Sequence, residues 1–310
     1  MKQIEKREKF DMKFTEGLQV VEDYTEEAAI KEQLKVNEQL VEEITTLFLK
    51  DEVEKFGFKK VALTISGGVD SAVVLEFAVR AFGEENVYAV FLPHSDVTSK
   101  LSFECVEHLR DKFPKVNWIE LDVKPIVERF ETLIGLETNR SNSEKLRRGN
   151  ITARVRMTVL FDIASANEAV VLGGSNKTEL LLGYATWYGD MAAAIYPVGD
   201  LYKTQVFQMA RYFKTPQKII DRTPTAELWI DQEDEAELGI GYEVLDQILF
   251  EWIDLRRKPR QLYEKYGQEL VNKVVKMVKQ ASFKRNMPLI PKYSLRTIGF
   301  EFRMPRDVGV

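Results

Sequence analysis

Short apolar runs in this chain alternate with longer stretches in which apolar residues recur every three or four positions. The runs cover residues 61–65, 87–92, 116–121 and 169–172, each of a length suited to a buried strand. Helical spacing appears near 73–79, 105–113, 123–134 and 150–166. This alternation predicts an α/β fold, a doubly wound parallel sheet with helices on both faces, with ligands at the carboxyl ends of its strands.

The flanking regions are predicted to be mostly helical. From Thr25 an amphipathic pattern predicts one long helix ending near Gly57, and further helices are expected at 203–213, 242–253 and 260–281. The polar stretch 136–149 predicts a loop, and the acidic segment 231–237 predicts a solvated lid. Residues 1–24 are predicted to be a charged N-terminal extension, and residues 25–310 a single domain.

Composition and charge limit the kinds of molecule that the protein is expected to bind. A net charge of −5 and a pI of about 5.5 give no sign of a nucleic-acid or membrane partner, and no apolar run approaches a membrane span. The single cysteine, Cys105, allows no intramolecular disulfide framework and predicts a reducing, cytoplasmic location.

The first strand runs into a polar, glycine-rich turn, Ser-Gly-Gly-Val-Asp-Ser at 66–71. A strand, a tight turn and a helix start place free N–H groups and a positive dipole end at one point, which suits phosphate. Gly67 and Gly68 let the backbone approach an anion closely. Asp70 beside a phosphate requires a cation between them, so the turn predicts a divalent metal as well. The simpler alternative is an ordinary strand-to-helix turn.

A second strand-to-helix junction, residues 172–179, ends in Glu179. If both strands are central, Glu179 and Asp70 can hold one Mg²⁺ against phosphate oxygens. The alternative is an acid that only favours a helix dipole.

Several cations are candidate anion ligands. Arg154 and Arg156 lie two positions apart on one helix and therefore point in different directions. Lys203 begins a helix, where the dipole disfavours a cation, so an anionic ligand is expected there. Lys284 and Arg285 follow the last long helix.

Taken in order, these motifs resemble the NAD synthetases, a family of ATP pyrophosphatases with an adenine nucleotide alpha-hydrolase-like fold. The resemblance covers about residues 30–310 and rests on the 66–71 turn, the 173–179 junction and the motifs at 188–190, 201–205, 224–229, 234–239, 284–285 and 303–307. It implies an ammonia-dependent ligase, a homodimer, that uses ATP and Mg²⁺ to adenylate deamido-NAD and displaces AMP with ammonia.

The resemblance also implies roles for individual residues. Asp70 and Lys203 are expected to be catalytic, and Asp70 and Glu179 to bind Mg²⁺. The substrate is expected to contact Arg154, Trp187, Asp190 and Lys284. The expected ATP-binding residues are Ile65, Ser66, Gly67, Gly68, Val69, Asp70, Ser71, Ala72, Gly174, Lys203 and Thr225.

Four positions depart from the pattern common in the family. Many members carry lysine at Trp187, aspartate at Ala194, threonine at Gly174 and histidine at Phe283. A paralogue that amidates another carboxylate therefore stays open. A thiolating or tRNA-modifying enzyme and a non-enzymatic nucleotide-binding module are weaker alternatives, given one cysteine, an acidic chain and two metal-type carboxylates. No cysteine-based glutaminase is predicted, so glutamine would require a separate partner protein.

Overall fold

Four parallel strands form one sheet in the order β3-β2-β1-β4. The computed structural model describes residues 26–136, 141–225, 227–229, 232, 234–286, 288–293 and 295. The strands are β1 Lys60–Ile65, β2 Val87–Phe91, β3 Asn117–Glu120 and β4 Ala169–Leu172. Because β1 lies between β2 and β4, its carboxyl end is central in the sheet. The predicted α/β class with a parallel sheet is confirmed.

Side chains of β1 alternate between two apolar cores. Val61, Leu63 and Ile65 pack on the face covered by helix α3, Val69–Phe82. Ala62 packs on the opposite face, which is covered by helix α6, Asn142–Ala166. A strand buried on both faces has apolar residues at every position, which explains the continuous apolar runs of the sequence.

The other helices surround this sheet and form a third apolar core beside it, centred on α11 and α13. Single 3₁₀ turns lie at Glu84–Asn86, Pro259–Leu262 and Ser282–Arg285, and a π-helical turn at Phe250–Asp254. The remaining α-helices are α1 Glu26–Gln33, α2 Glu38–Glu54, α4 Lys100–Lys112, α5 Lys124–Leu133, α7 Lys177–Leu182, α8 Lys203–Tyr212, α9 Gln217–Ile220, α10 Asp234–Leu238, α11 Tyr242–Leu249, α12 Tyr263–Tyr266 and α13 Gln268–Gln280.

The prediction of one long helix before the sheet is wrong, because two helices occupy this segment. The Asn37 side chain accepts a hydrogen bond from the Leu40 amide (3.0 Å) and starts a new helix, so α1 and α2 are separate. Helix α2 buries Leu49 and Val53 in the core, whereas Ile44 is 58% and Leu47 68% exposed. Helical spacing identifies a stripe, but only the tertiary arrangement decides which side of the helix is covered.

The predicted loop at 136–149 is in part helical. Helix α6 begins at Asn142, because the Ser141 hydroxyl accepts a hydrogen bond from the Glu144 amide (3.3 Å) and caps the first turn. A serine three residues before a glutamate is a capping signal that the sequence contains. Residues 137–140 lie outside the described part of the chain.

The predicted solvated lid at 231–237 is wrong at Gln232 and Asp234, which are buried, whereas Glu235, Ala236 and Glu237 are exposed. Asp234 is 4% exposed and accepts hydrogen bonds from the Tyr184 and Tyr242 hydroxyls, both at 3.2 Å. Polar partners thus stabilise a buried acid that sequence composition alone assigned to solvent.

Cys105 is fully buried in the core beside α3, and burial raises the pKa of its thiol. A buried thiol is a poor nucleophile, which disfavours the thiolating alternative. Among the described residues no helix is both long and apolar enough to cross a membrane. Residues 1–24 and the motif at 303–307 lie outside the described residues, so the single-domain boundary remains a prediction.

Candidate functional site

A cavity of about 410 Å³ opens at the carboxyl ends of β1, β2 and β4. Its wall includes most of the residues predicted from the two strand-to-helix junctions. The predicted site residues in the wall are Ile65, Ser66, Gly68, Val69, Asp70, Ser71, Gly174, Glu179, Asp190, Lys203, Thr225 and Lys284. Gly67, Ala72, Arg154 and Trp187 are not part of this wall.

The turn after β1 is held by its own side chains. The Ser71 hydroxyl accepts a hydrogen bond from the Ser66 amide (3.2 Å) and donates one to the Gly68 carbonyl (3.0 Å). The Ser66 hydroxyl accepts from the Gly68 amide (3.2 Å). Gly68 caps α3 without a side chain, so the positive end of this 14-residue helix faces the cavity.

Gly67 occupies a position that only glycine fits. Its φ of +76° is in the left-handed region, and a Cβ there would lie 2.9 Å from the Ser102 carbonyl oxygen and 3.1 Å from Nη1 of Arg222. The turn therefore packs closely against the start of α4 and the side chain of Arg222.

Two carboxylates and one ammonium form the charged centre of the cavity. Lys203 Nζ lies 2.5 Å from Asp70 Oδ2 and 3.3 Å from Glu179 Oε1. The lysine is 3% exposed, and the two carboxylate side chains are 18% and 17% exposed. The predicted convergence of Asp70 and Glu179 is thus present, with Lys203 between them.

The environment shifts the titration of this centre. Burial and then the negative charge of Asp70 raise the pKa of Glu179 to about 8. Burial alone would lower the pKa of Lys203, but the charges of Asp70 and Glu179 outweigh it and raise that pKa. Burial and the mutual repulsion of the two carboxylates thus oppose full ionisation of the pair, and the ammonium of Lys203 favours it.

Asn176 links the two junctions, a role that the sequence reasoning missed. Its Nδ2 donates to Asp70 Oδ1 (2.8 Å), and its Oδ1 accepts from the Glu179 amide (2.9 Å). Glu179 Oε2 accepts from the Asn176 amide (3.2 Å), which completes a capping box at the start of α7. An asparagine three residues before a glutamate at a helix start was the available signal.

The donor set of this centre fits a hard divalent cation. Asp70 and Glu179 each present a carboxylate oxygen to the same point, next to Lys203 Nζ. These are two protein ligands, and the described parts of the chain contain no larger cluster of three or more His, Cys, Asp or Glu side chains that could hold a metal. Two carboxylates, with phosphate and water as the other ligands, are a typical environment for Mg²⁺.

The structure separates the two candidate arginines of α6. Arg156 lies in the cavity wall, where its Nε donates to the Leu92 carbonyl (2.9 Å) and burial lowers its pKa. Among the described residues its two η nitrogens make no hydrogen bond, so they can bind an anion. Arg154 lines a neighbouring groove and donates to the Trp187 carbonyl (3.2 Å).

Trp187 belongs to an aromatic cluster beside the cavity. Its ring stacks on Tyr188, with 4.6 Å between centroids, and meets Phe283 edge-on at 5.3 Å. Tyr188 has a φ of +56° and is 51% exposed. The cluster therefore joins the loop after α7 to the segment after α13.

Lys284 and Asp190 face the cavity from the same side. Lys284 Nζ donates to the Gly183 and Ala185 carbonyls, both at 2.7 Å, and so provides hydrogen-bond partners for backbone carbonyls that follow α7. The ammonium carries three donors, which leaves one for a ligand. Asp190 Oδ1 accepts from the Thr186 amide (2.7 Å).

Arg222 is a residue of the cavity wall that the sequence reasoning missed. It is 9% exposed, and its Nη2 lies 2.7 Å from Oε1 of Glu227. Its Nη1 donates a hydrogen bond to the Ser66 carbonyl in the turn after β1 (3.3 Å). Glu227 also accepts from the Ser102 hydroxyl (2.7 Å) at the start of α4. No local sequence signal marks Arg222, since its position follows from the packing of separate loops.

Comparison with known proteins identifies the relatives of this chain. A family model described as NAD synthase matches residues 18–288. The chain is 46% identical over 275 residues to an NH(3)-dependent NAD(+) synthetase of Chlorobium phaeovibrioides, covering 88% of this chain and 96% of the relative. It is 36% identical over 259 residues to the enzyme of that name from Fusobacterium nucleatum, covering 83% and 95%.

Solved structures agree with this match. An NH3-dependent NAD synthetase from Campylobacter jejuni, in complex with the nitrate ion, superimposes with a TM-score of 0.69 at 26% identity, covering 83% of this chain and 100% of that chain. An NMN synthetase from Francisella tularensis gives a TM-score of 0.68 at 27% identity, covering 84% and 100%.

The two glycines of the junctions provide a test of the turn geometry. Gly67→Ala is expected to destabilise the protein by about 1–2 kcal/mol or more, because alanine is strained at a positive φ and its Cβ meets the Ser102 carbonyl. Gly174→Ala is the matched control, since its Cβ would meet nothing within 4 Å. Thermal unfolding measures both. Equal melting temperatures for the two variants would contradict the close approach at Gly67.

Proposed function

This chain belongs to the NAD synthase family, and from that premise we propose that it is an ammonia-dependent NAD synthetase. The proposed reaction converts deamido-NAD, ATP and ammonia to NAD, AMP and pyrophosphate, with Mg²⁺. Relatives of that name match 83–96% of both chains in the two alignments above, which supports the assignment.

One observation carries the proposal. The Ser66–Ser71 turn and the β4–α7 junction, far apart in sequence, meet so that Asp70 and Glu179 flank one ammonium beside a helix N-terminus. This arrangement provides a phosphate site and a cation site in contact, which an enzyme that cleaves a nucleoside triphosphate requires.

The phosphates of ATP are proposed to bind at the turn. The amides at the α3 start and the Ser66 hydroxyl supply neutral donors, Ser71 holds the turn in shape, and Lys203 supplies a buried positive charge. Arg222 stands behind the turn and fixes its position through the Ser66 carbonyl. The predicted contacts of Gly174 and Thr225 belong to the same cavity wall.

Asp70 and Glu179 are proposed to hold Mg²⁺, which when bound would neutralise the charge of the departing pyrophosphate. The chain's own contribution is to orient the two carboxylates. Asn176 fixes an oxygen of each, leaving the others directed at Lys203 Nζ.

The reaction proceeds in two displacements. A carboxylate oxygen of the acid forms a bond to the α-phosphorus of ATP while the bond from that phosphorus to pyrophosphate breaks. The nitrogen of ammonia then bonds to the acyl carbon, AMP leaves, and the nitrogen loses a proton to give the amide. Both steps depend on positioning and charge neutralisation rather than on a nucleophilic side chain.

The acid is proposed to bind on the α6 side of the cavity. Arg156, Asp190 and Lys284 face that space, and the η nitrogens of Arg156, which hydrogen-bond to none of the described residues, can bind an anionic group. The aromatic cluster of Trp187, Tyr188 and Phe283 adjoins it and offers ring surface for the pyridine or a base. Arg154 contributes through the backbone of Trp187.

A homodimer is proposed through the outer face of α5 and α6. Phe130 is 48% and Leu133 79% exposed, and a groove of about 220 Å³ between the two helices has mostly apolar walls, which include Phe130. Contiguous exposed apolar surface of this kind marks a protein interface. Sedimentation should give twice the 35.8 kDa chain mass.

A second candidate is amidation of a related acid, nicotinate mononucleotide. The structural likeness to an NMN synthetase and the aromatic cluster, in place of the charged side chains common in the family, both favour it.

Steady-state assays decide between these reactions. Purified chain with ATP, Mg²⁺ and ammonia should release pyrophosphate when deamido-NAD is added and form NAD, with a higher kcat/KM than for nicotinate mononucleotide. Glutamine in place of ammonia should give no product without a separate partner. Preference for the mononucleotide would favour the second candidate, and failure with both would contradict the proposal.

Asp70→Asn should lower kcat by at least about 100-fold, because a metal carboxylate contributes several kcal/mol of charge stabilisation. The measurement is pyrophosphate release at saturating ATP. Asp162→Asn, an exposed aspartate on α6, is the control and should retain the parent's rate. A near-normal rate for Asp70→Asn would exclude the metal role.

Trp187→Ala should raise the KM for deamido-NAD by about 2- to 10-fold, the value of one aromatic contact, and leave the KM for ATP unchanged. Trp187→Phe keeps a ring in the cluster and should restore most of the affinity. An increase confined to the KM for ATP would show that the aromatic cluster serves the other substrate.

A further inference from the structure

Asp246 is a fully buried carboxylate that lies outside the cavity wall and contacts α7 and α8, two of the three helices that carry the charged centre. It belongs to α11 and is 0% exposed. Its Oδ1 accepts a hydrogen bond from the Thr178 hydroxyl at 2.6 Å, and its Oδ2 accepts one from the Thr204 amide at 2.8 Å.

Thr178 closes this network. Its side chain is also fully buried, and the same hydroxyl oxygen accepts a hydrogen bond from the Lys203 amide at 3.0 Å. Thr178 directly precedes Glu179 on α7, and Thr204 directly follows Lys203 on α8. Two hydrogen bonds to one carboxylate therefore tie the backbones that carry Glu179 and Lys203.

The start of α8 explains why a remote acid is needed. The first amides of a helix have no partner within it, and the residue before α8 is Tyr202, whose side chain does not cap it. Thr178 and Asp246 accept the first two amides instead. A negative charge beside a helix N-terminus is also electrostatically favourable.

Burial disfavours the ionised form of the Asp246 carboxylate, and the hydrogen bonds that it accepts favour that form. Burial raises the pKa of Asp246 to about 6, while the donors Thr178 and Thr204 and the charge of Lys203 favour the ionised form. A carboxylate kept in the interior without a solvent contact depends on these specific partners.

We propose that Asp246 and the Thr178 hydroxyl are positioning residues that hold Glu179 and Lys203 at the separation at which they bind Mg²⁺ and ATP. Neither residue touches the cavity. The inference rests on the proposed function for the identity of the ligand, but the geometry that it explains is the 3.3 Å contact between Lys203 Nζ and Glu179.

Three variants test the link. Thr178→Val removes the hydroxyl and nearly keeps the shape, Thr178→Ser keeps the hydroxyl, and Asp246→Asn removes the charge. Loss of a residue that orients metal ligands typically costs roughly 10- to 100-fold in metal affinity or activity. Thr178→Val and Asp246→Asn should weaken Mg²⁺-dependent binding of α,β-methylene-ATP by that factor, and Thr178→Ser should bind like the parent.

The matched control is Glu251→Gln. Glu251 follows α11 and is also 0% exposed, but it pairs with Arg257 (2.6 Å) and Lys265 (2.7 Å), which do not touch the cavity. This variant should lower the melting temperature and leave the affinity for the ATP analogue unchanged. The double variant Thr178→Val/Asp246→Asn should bind no more weakly than the worse single variant, because both break one network.

Calorimetry with the analogue and Mg²⁺ needs neither the acid nor ammonia, so it separates this inference from the proposed reaction. Unchanged affinity in Thr178→Val and Asp246→Asn, or an equal loss in Glu251→Gln, would overturn the positioning role even if NAD is formed. A parent protein that binds the analogue without Mg²⁺ dependence would overturn it as well. Weakened binding in the two variants supports it whichever acid the enzyme amidates.

Discussion

The ammonium of Lys203, nearly removed from solvent between Asp70 and Glu179, is the interaction on which the rest of the site depends. Two carboxylates held close together repel each other, and the pKa of Glu179, raised to about 8, reflects burial and that repulsion. Breaking a buried charge pair leaves an uncompensated charge, so the centre exists only while the helices that carry its members stay in register. Helices α3, α7 and α8 each contribute one charged residue.

The sheet order creates this convergence. β1 and β4 are neighbours although β2 and β3 separate them in sequence, so the turns that follow β1 and β4 open at the same edge. The return from β3 to β4 passes through α5 and α6 on the opposite face from α3. The cavity thus has the Ser66–Ser71 turn on one side and the guanidinium of Arg156 on the other. A fold of this kind brings two different anions together without placing their binding groups on one element.

Hydrogen bonds around the centre fix the positions of its members. Asn176 binds Asp70 and caps α7, and Arg222 ties the first turn to Glu227. Each contact satisfies a backbone or side-chain group that burial would otherwise leave unpaired. In the proposed enzyme the chain performs its chemistry by orientation, since the bonds that form and break all belong to the substrates.

The sequence alone determined the parallel α/β class, the positions of all four strands and the two junctions with Asp70 and Glu179. Those features are local: apolar runs of strand length, glycines where the backbone turns sharply, and acids at helix starts each leave a signal within a few residues. The capping signals at Ser141 and Asn176 were also local, although they were not used.

Only the tertiary structure decided which face of α2 is exposed, that Asp234 is buried, and that Arg156 rather than Arg154 lines the cavity. It also decided the partners of Lys203, Arg222 and Asp246, each of which binds residues from distant segments. Apolar periodicity indicates that a helix has one apolar and one polar face, but long-range packing determines which segment of the chain covers either face. A buried charge is likewise defined by its surroundings, and its own residue type does not reveal them.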